Sequence, residues 1–350
     1  MFQFFSYTTF SLYLTLLPHL FPAKTTLIAS DLSPNATWNN FVNFIDAGNG
    51  ANFSGMSEVK KYFHKFGYLQ ISESDVGDIF TDLFDDSFES AVVNYQRCLG
   101  LTVTGKLDAG TVTQIMSPRC GVSDAMITNL TDLLHVAKNY AYFYGEPRWG
   151  RSAHMTLTYA FSGDHMIDYI NSSDVRDAFH RSFSRWSAVI PVNFTEADDY
   201  SSSDIKIGFY SGDHGDTVPF DGVLGVLAHA FSPENGRLHL DEAETWAVDF
   251  RSSKSKVAID LESVATHEIG HILGLAHSSV KGAIMYPSLS PRTKKVDLKI
   301  DDVEGVQALY GSNPNFQYSS MIESNISSGW IIINPLNWLT YLVIVSGVLL

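Results

Sequence analysis

Residues 267–277 read His267-Glu268-Ile269-Gly270-His271-Ile272-Leu273-Gly274-Leu275-Ala276-His277, the pattern H-E-x-x-H-x-x-G-x-x-H. Few patterns constrain a fold as tightly. Histidines four apart on a helix leave the same face, so His267 and His271 can grip one Zn²⁺. A glycine at 274 can take positive φ, end the helix and turn the chain back, so that His277 supplies a third nitrogen. Three protein ligands leave a coordination position open, the arrangement of a catalytic rather than a structural zinc. Glu268, beside the first ligand, is placed to act on water at that position without being a ligand itself. The competing reading is a histidine-rich helix packed in a core. Downstream, Ala283-Ile284-Met285-Tyr286-Pro287 fits a methionine turn beneath such a site; a lone methionine is otherwise core filler.

The remaining chain must house that helix. Its 350 residues allow about two domains plus processing segments. A hydrophobic share of 45% with 17% charged residues is enough for a sizeable core. The net charge of −15 excludes nucleic-acid binding as a main role, because phosphate contacts need clustered Lys and Arg.

No charged side chain precedes Lys24 and none follows Glu323. The apolar run Phe2–Pro22 reads as a secretory signal with cleavage near Ala23 or Ala29, although it lacks a basic start; a retained membrane anchor is the alternative. Trp330–Leu350 is apolar and follows a small, polar spacer, the ingredients of a GPI-attachment signal. A single membrane-spanning helix competes with that reading. Six N-x-S/T sequons, at Asn35, Asn52, Asn129, Asn171, Asn193 and Asn325, agree with glycosylation in the secretory pathway. With only Cys98 and Cys120, this is no disulfide scaffold.

Helical periodicity marks Ser57–Leu69, a segment around Asp75–Phe84, Ser87–Leu99 and Ala109–Met116, which together predict a small helical domain ending near Cys120. Asn129–Arg151 reads as an exposed connection. Strands are predicted at Met155–Phe161, Asp204–Tyr210 and Val223–Phe231, with helices at Ser173–Ile190, about Ala258–Leu273 and Ile300–Tyr310. The expected fold is therefore α+β, a mixed sheet with about three helices behind a helical domain. The division is 1–29 leader, 30–150 N-terminal region with its domain at about 57–120, 151–311 zinc domain, 312–329 spacer and 330–350 tail.

Two further groups bear chemistry. His214, Asp216, His229 and His239 would close a four-ligand, structural zinc if brought together; scattered surface residues are the alternative. Asp221-Gly222 and Asp241-Glu242-Ala243-Glu244 carry the hard oxygen donors that suit Ca²⁺. Cys120, in Pro118-Arg119-Cys120-Gly121-Val122-Ser123-Asp124, offers a thiolate that could fill the open zinc position and exclude water.

Together PRCGVSD, HEIGHILGLAH and AIMYP resemble the matrix metalloproteinases over about residues 57–311, most of all the compact plant-type members, since nothing resembling a hemopexin-like domain follows Tyr310. That resemblance implies a metzincin-type zinc-protease domain behind a peptidoglycan-binding-like prodomain. It also implies Cys120 as the ligand that keeps a zymogen latent, with Arg119 and Asp124 paired to hold its loop. It maps a second zinc onto His214, Asp216, His229 and His239. Calcium maps onto Asp221, Gly222, Leu224, Val226, Asp241 and Glu244. The chain departs from the pattern at Arg237, where many relatives carry acid, which leaves open a further calcium near Asp204. No furin-like basic tetrad separates Cys120 from His154, the nearest sequence being Arg148-Trp149-Gly150-Arg151, so activation by autolysis or another protease is expected. Cys98 is expected to be reduced or paired elsewhere than with Cys120.

The implied activity is zinc-dependent hydrolysis of extracellular proteins, with Glu268 moving the proton from water to the leaving amine. Substrate is expected as an added strand along Leu224–Ala228, its S1′ wall coming from the zinc helix and Pro287–Lys295. Localisation at the outer face of the plasma membrane or in the extracellular matrix follows. A catalytically silent surface module that binds glycan or protein, and a zinc amidase acting on non-peptide bonds, share these residues.

Overall fold

Carboxylate caps start the helices where the apolar periodicity begins. The structure, a computed structural model, describes residues 38–70, 80–124, 140–151 and 155–317. In the N-terminal domain, helix α1 spans Met56–Lys65, α2 Asp86–Cys98 and α3 Ala109–Ile115. Asp85 accepts the Phe88 amide at 2.8 Å to open α2, and Asp108 accepts the Thr111 amide at 2.8 Å to open α3. Fully buried Gln96 ties the loop between them: its Oε1 accepts from the amides of Thr104 (2.8 Å) and Gly105 (3.0 Å), and its Nε2 donates to the Lys106 carbonyl at 2.9 Å.

This domain departs from expectation at two places. It begins earlier, because a 3₁₀ turn at Asn39–Phe44 packs on α1, with Trp38 edge-on to Tyr62 at 5.0 Å. The helix expected around Asp75–Phe84 is absent over residues 80–85, while 71–79 lie outside the described residues. Phe80, Leu83 and Phe84 have helical spacing, yet backbone pairing wins: the Phe84 amide donates to Ala51 at 2.7 Å and its carbonyl accepts from Gly50 at 2.8 Å.

The second domain is a twisted sheet with two packed helices. Its strands are β1 Arg119–Cys120, β2 Met155–Phe161, β3 Val192–Glu196, β4 Ile205–Tyr210, β5 Val226–Ala230 and β6 Arg237–Asp241. They lie in the order β1-β5-β6-β4-β2-β3, parallel throughout except for the antiparallel β5–β6 pair. Helix α4, Ser172–Val189, links β2 to β3, and α5, Leu261–Ile272, carries the histidine motif. Fully buried Trp186 of α4 donates its indole N–H to the Thr266 carbonyl of α5 at 2.9 Å. A short β7–β8 pair, Trp246–Ala247 with Ile259–Asp260, precedes α5, and α6, Ile300–Tyr310, closes the domain. The overall class is the expected α+β. Strands β3 and β6 were not anticipated, and the strand expected from Val223 begins only at Val226.

The expected exposed connection is corrected where it is described. Phe143 and Trp149 are buried; the Trp149 indole donates to the Ile272 carbonyl at 2.8 Å, and Tyr142 bridges Leu275. Polar neighbours disguised a segment whose aromatic rings seal the C-terminal end of α5. The expected leader at 1–29, the tail at 330–350, and Asn35, Asn129 and Asn325 lie outside the described residues, whereas Asn52, Asn171 and Asn193 are exposed.

Candidate metal centre and cleft

Asp260 accepts the Ser263 amide at 2.8 Å to start α5, and the helix then presents His267 and His271 one turn apart. Gly274 ends it at φ +101°, with the Pro147 carbonyl 2.2 Å from where a Cβ would stand. Only glycine fits there, and the turn it makes returns His277 to the same point. His267 Nε2 and His271 Nε2 are 3.1 Å apart, and His271 Nε2 and His277 Nε2 are 3.2 Å apart. Each Nδ1 is spoken for by an oxygen: Ile284 carbonyl (2.7 Å), Leu275 carbonyl (2.7 Å) and Asp124 Oδ1 (2.6 Å), respectively. With Nδ1–H donating outward, all three Nε2 lone pairs face inward, the orientation that metal ligation requires. Burial holds His267 and His271 well below the usual histidine range and lowers His277 against the pull of Asp124, which favours the neutral imidazole that binds metal.

Cys120 Sγ lies 3.4 Å from His271 Nε2, and the four donor atoms of Cys120, His267, His271 and His277 fall within 4.8 Å of one another. Glu268 is fully buried, and neither carboxylate oxygen has a hydrogen-bond partner among the described residues. Burial pushes its carboxyl up to about 8, against a smaller pull from the nearby Cys120 thiol. A buried, unpartnered carboxylate beside lone pairs crowded together fits a cation with its water; as a core it would be costly.

The turn beneath is held by Asp302, whose carboxylate accepts from the amides of Ile284 (2.8 Å), Met285 (3.0 Å) and Lys299 (2.7 Å). Gly270 lets Met285 approach, since a Cβ at 270 would stand 2.2 Å from the methionine sulfur. Asp302 had no signal in the sequence beyond its place at a helix start.

Segment 118–121 lies in a two-sided slot. On one side the Arg119 amide donates to Gly225 (3.0 Å) and the Gly121 amide to Ala228 (2.7 Å); on the other the Cys120 amide donates to Pro287 (2.9 Å), and Pro118 accepts from Leu289 (3.0 Å). Arg119 and Asp124 form the expected pair, Arg119 Nη2 donating to both carboxylate oxygens at 2.8 and 2.9 Å with both side chains fully buried. The guanidinium also lies 3.7 Å over the Phe66 ring. Asp124 does more than the sequence indicated: it accepts from Tyr68 Oη at 2.8 Å as well as from His277.

The second cluster also assembles. His214 Nε2 (2.9 Å), His229 Nε2 (2.7 Å) and His239 Nδ1 (2.8 Å) converge on Asp216 Oδ2. Burial lowers His229 and His239 to about 4. The scattered-surface alternative is thus overturned, and three nitrogens with one oxygen make a closed donor set.

The acidic side chains of the calcium expectation meet the loop's amides. Among the described residues, the amides of Gly222, Leu224 and Val226 donate to Asp241 Oδ2 (3.2 Å), Glu244 Oε1 (2.6 Å) and Asp221 Oδ1 (2.7 Å). Burial raises Asp241 to about 6 and Glu244 to about 8, and Glu244 Oε2 has no partner. Near Asp204, Arg151 (3.1 Å) and the Thr158 amide (2.8 Å) donate to that carboxylate. Cys98 and Cys120 are both free thiols, as expected.

Three inward-facing imidazoles, a buried glutamate beside them and an occupied sheet edge are the parts of a metal-dependent hydrolase. The Matrixin family model matches residues 148–311, and the peptidoglycan binding domain model matches 54–115. Metalloendoproteinase 1-MMP of Arabidopsis thaliana is 54% identical over 321 residues, covering 90% of this chain and 86% of that protein. Metalloendoproteinase 4-MMP of the same plant is 57% identical over 272 residues, covering 77% of each. Matrix metalloproteinase-20 of Homo sapiens is 40% identical over 225 residues, 63% of this chain and 42% of that protein. The chain belongs to the matrixin family of zinc metalloendopeptidases.

Proposed function

We propose that this endopeptidase is made as a latent zymogen, passes through the secretory pathway and cleaves extracellular proteins at the outer cell surface. The observation that carries latency is Cys120 Sγ within the histidine cluster, 3.4 Å from His271 Nε2. His267, His271 and His277 would hold the catalytic zinc, with Cys120 as fourth ligand until the N-terminal domain is removed. Bound there, the ion would supply Lewis acidity toward a scissile carbonyl and toward water.

The chain's own residues do the rest. With segment 118–121 withdrawn, the edge of β5 and the Pro287–Leu289 wall offer their carbonyls and amides to an extended substrate, which binds as an added strand. Glu268 takes a proton from the attacking water and returns it to the leaving nitrogen, so water adds across the C–N bond with no net change at the carboxylate. His214, Asp216, His229 and His239 would hold a structural zinc. Asp221, Asp241 and Glu244, with the main chain of Gly222, Leu224 and Val226, would take calcium.

In the test, the full chain is assayed on a quenched-peptide pool before and after limited proteolysis near Arg148–Arg151. We expect turnover only afterwards, with about two zinc per chain by elemental analysis. A folded, zinc-loaded, processed protein that cuts no peptide would overturn the protease reading in favour of the binding-module or amidase readings.

For location, the apolar leader at 1–29, the sequons at Asn35, Asn52, Asn129, Asn171, Asn193 and Asn325, and the apolar tail at 330–350 support surface attachment through a GPI anchor. Phosphatidylinositol-specific phospholipase should release the protein from cells; retention after treatment argues for a membrane-spanning helix instead.

A further inference from the structure

A narrow cleft adjoins Glu268 and His267. Leu227, Val264, Ile284 and Leu289 make apolar walls, but Lys295 lines it too. Its ammonium donates to the carbonyls of Ala283 (2.9 Å) and Tyr286 (3.5 Å), on either side of Ile284-Met285. An ammonium has three N–H donors, so the two carbonyls leave one donor without an acceptor among the described residues, while the Tyr286 ring, 5.5 Å from the ammonium, faces the charge. Asp302 bears on it through its charge, but both Asp302 oxygens accept from the amides of Ile284, Met285 and Lys299. Burial brings Lys295 down to about 8, which leaves it cationic at neutral pH.

We infer that Lys295 is a specificity determinant: it makes this cleft select, for the residue after the scissile bond, a side chain with an apolar stem and a hydrogen-bond acceptor at its tip. Glutamine and glutamate meet that description; leucine fills the stem space and leaves the ammonium unsatisfied. The inference rests on the peptidase reading and on this cleft receiving the side chain that follows the cut.

The experiment uses full-length protein activated by limited proteolysis and three peptides that differ only at that position, carrying Leu, Gln or Glu. The readout is the ratio of kcat/KM for Gln and for Glu to that for Leu. Lys295→Met should lower both ratios about tenfold or more, the worth of a hydrogen bond to a charged group, with the glutamate ratio falling further than the glutamine ratio. Lys295→Arg should keep them. Should Lys295→Met not fold, Lys295→Gln makes the same comparison without the charge. Ratios equal in wild type and in the uncharged variant, or lost in Lys295→Arg, would overturn the assignment. Wild-type protein that is folded and zinc-loaded yet cuts none of the three peptides would instead remove the peptidase reading, and this inference with it.

Discussion

Glu268→Gln is expected to lower kcat/KM for any peptide substrate by about 10³-fold, within the range that general acid–base catalysis contributes, while zinc content stays unchanged. Glu268 is fully buried one residue from His267, yet among the described residues neither of its oxygens has a hydrogen-bond partner that would explain its burial structurally. Glutamine keeps its shape and removes its ability to carry a proton. Folding should not suffer, because a neutral amide is cheaper to bury than an unpartnered carboxylate. Steady-state kinetics beside elemental analysis separates the roles. A variant that keeps its zinc and a tenth or more of its turnover removes Glu268 as the proton carrier. One that loses both indicates a role in holding the metal site.

The second large effect concerns latency. If the proposed latency holds, Cys120→Ser should raise peptidase activity of the uncleaved chain at least about tenfold over the uncleaved wild type, because a hydroxyl at neutral pH is a far poorer zinc ligand than a thiolate. The rest of the segment will resist the change. The main-chain bonds to Gly225, Ala228 and Pro287 remain, as does the buried Arg119–Asp124 pair. Activation should therefore be partial and should rise further when the N-terminal domain is cleaved away. A variant zymogen as silent as wild type would show that the filled slot, not the thiol, keeps substrate out.

How far the sequence foretold this arrangement depended on whether a contact is local. The α5 ligands are four residues apart and share a helix face, so spacing alone specified them. His277 followed from the turn that Gly274 imposes. The second cluster spans residues 214–239 on a loop and two strands; spacing could name the donors but not bring them together, and β6, which carries His239, was missed. Five-residue strands such as β3 and β6 gain their hydrogen bonds from distant partners, so little in their own composition announces them. The same holds for Trp149, whose burial depends on the Ile272 carbonyl far along the chain. Phe80–Phe84 misled in the other direction, since helical spacing was outweighed by pairing with residues 50–51. Lys295 stood in a segment expected to be an apolar wall, and only the fold set its ammonium against two carbonyls.

Asp124 joins three partners through one carboxylate: Arg119, Tyr68 of the N-terminal domain, and the metal-site His277. The stopper and the splint are consequently one piece. When that piece departs, His277 loses its bracing oxygen in the same event that uncovers the centre, so the exposed imidazole must find water or a substrate group at Nδ1. Unmasking should thus loosen the grip on the metal as well as open the door to it.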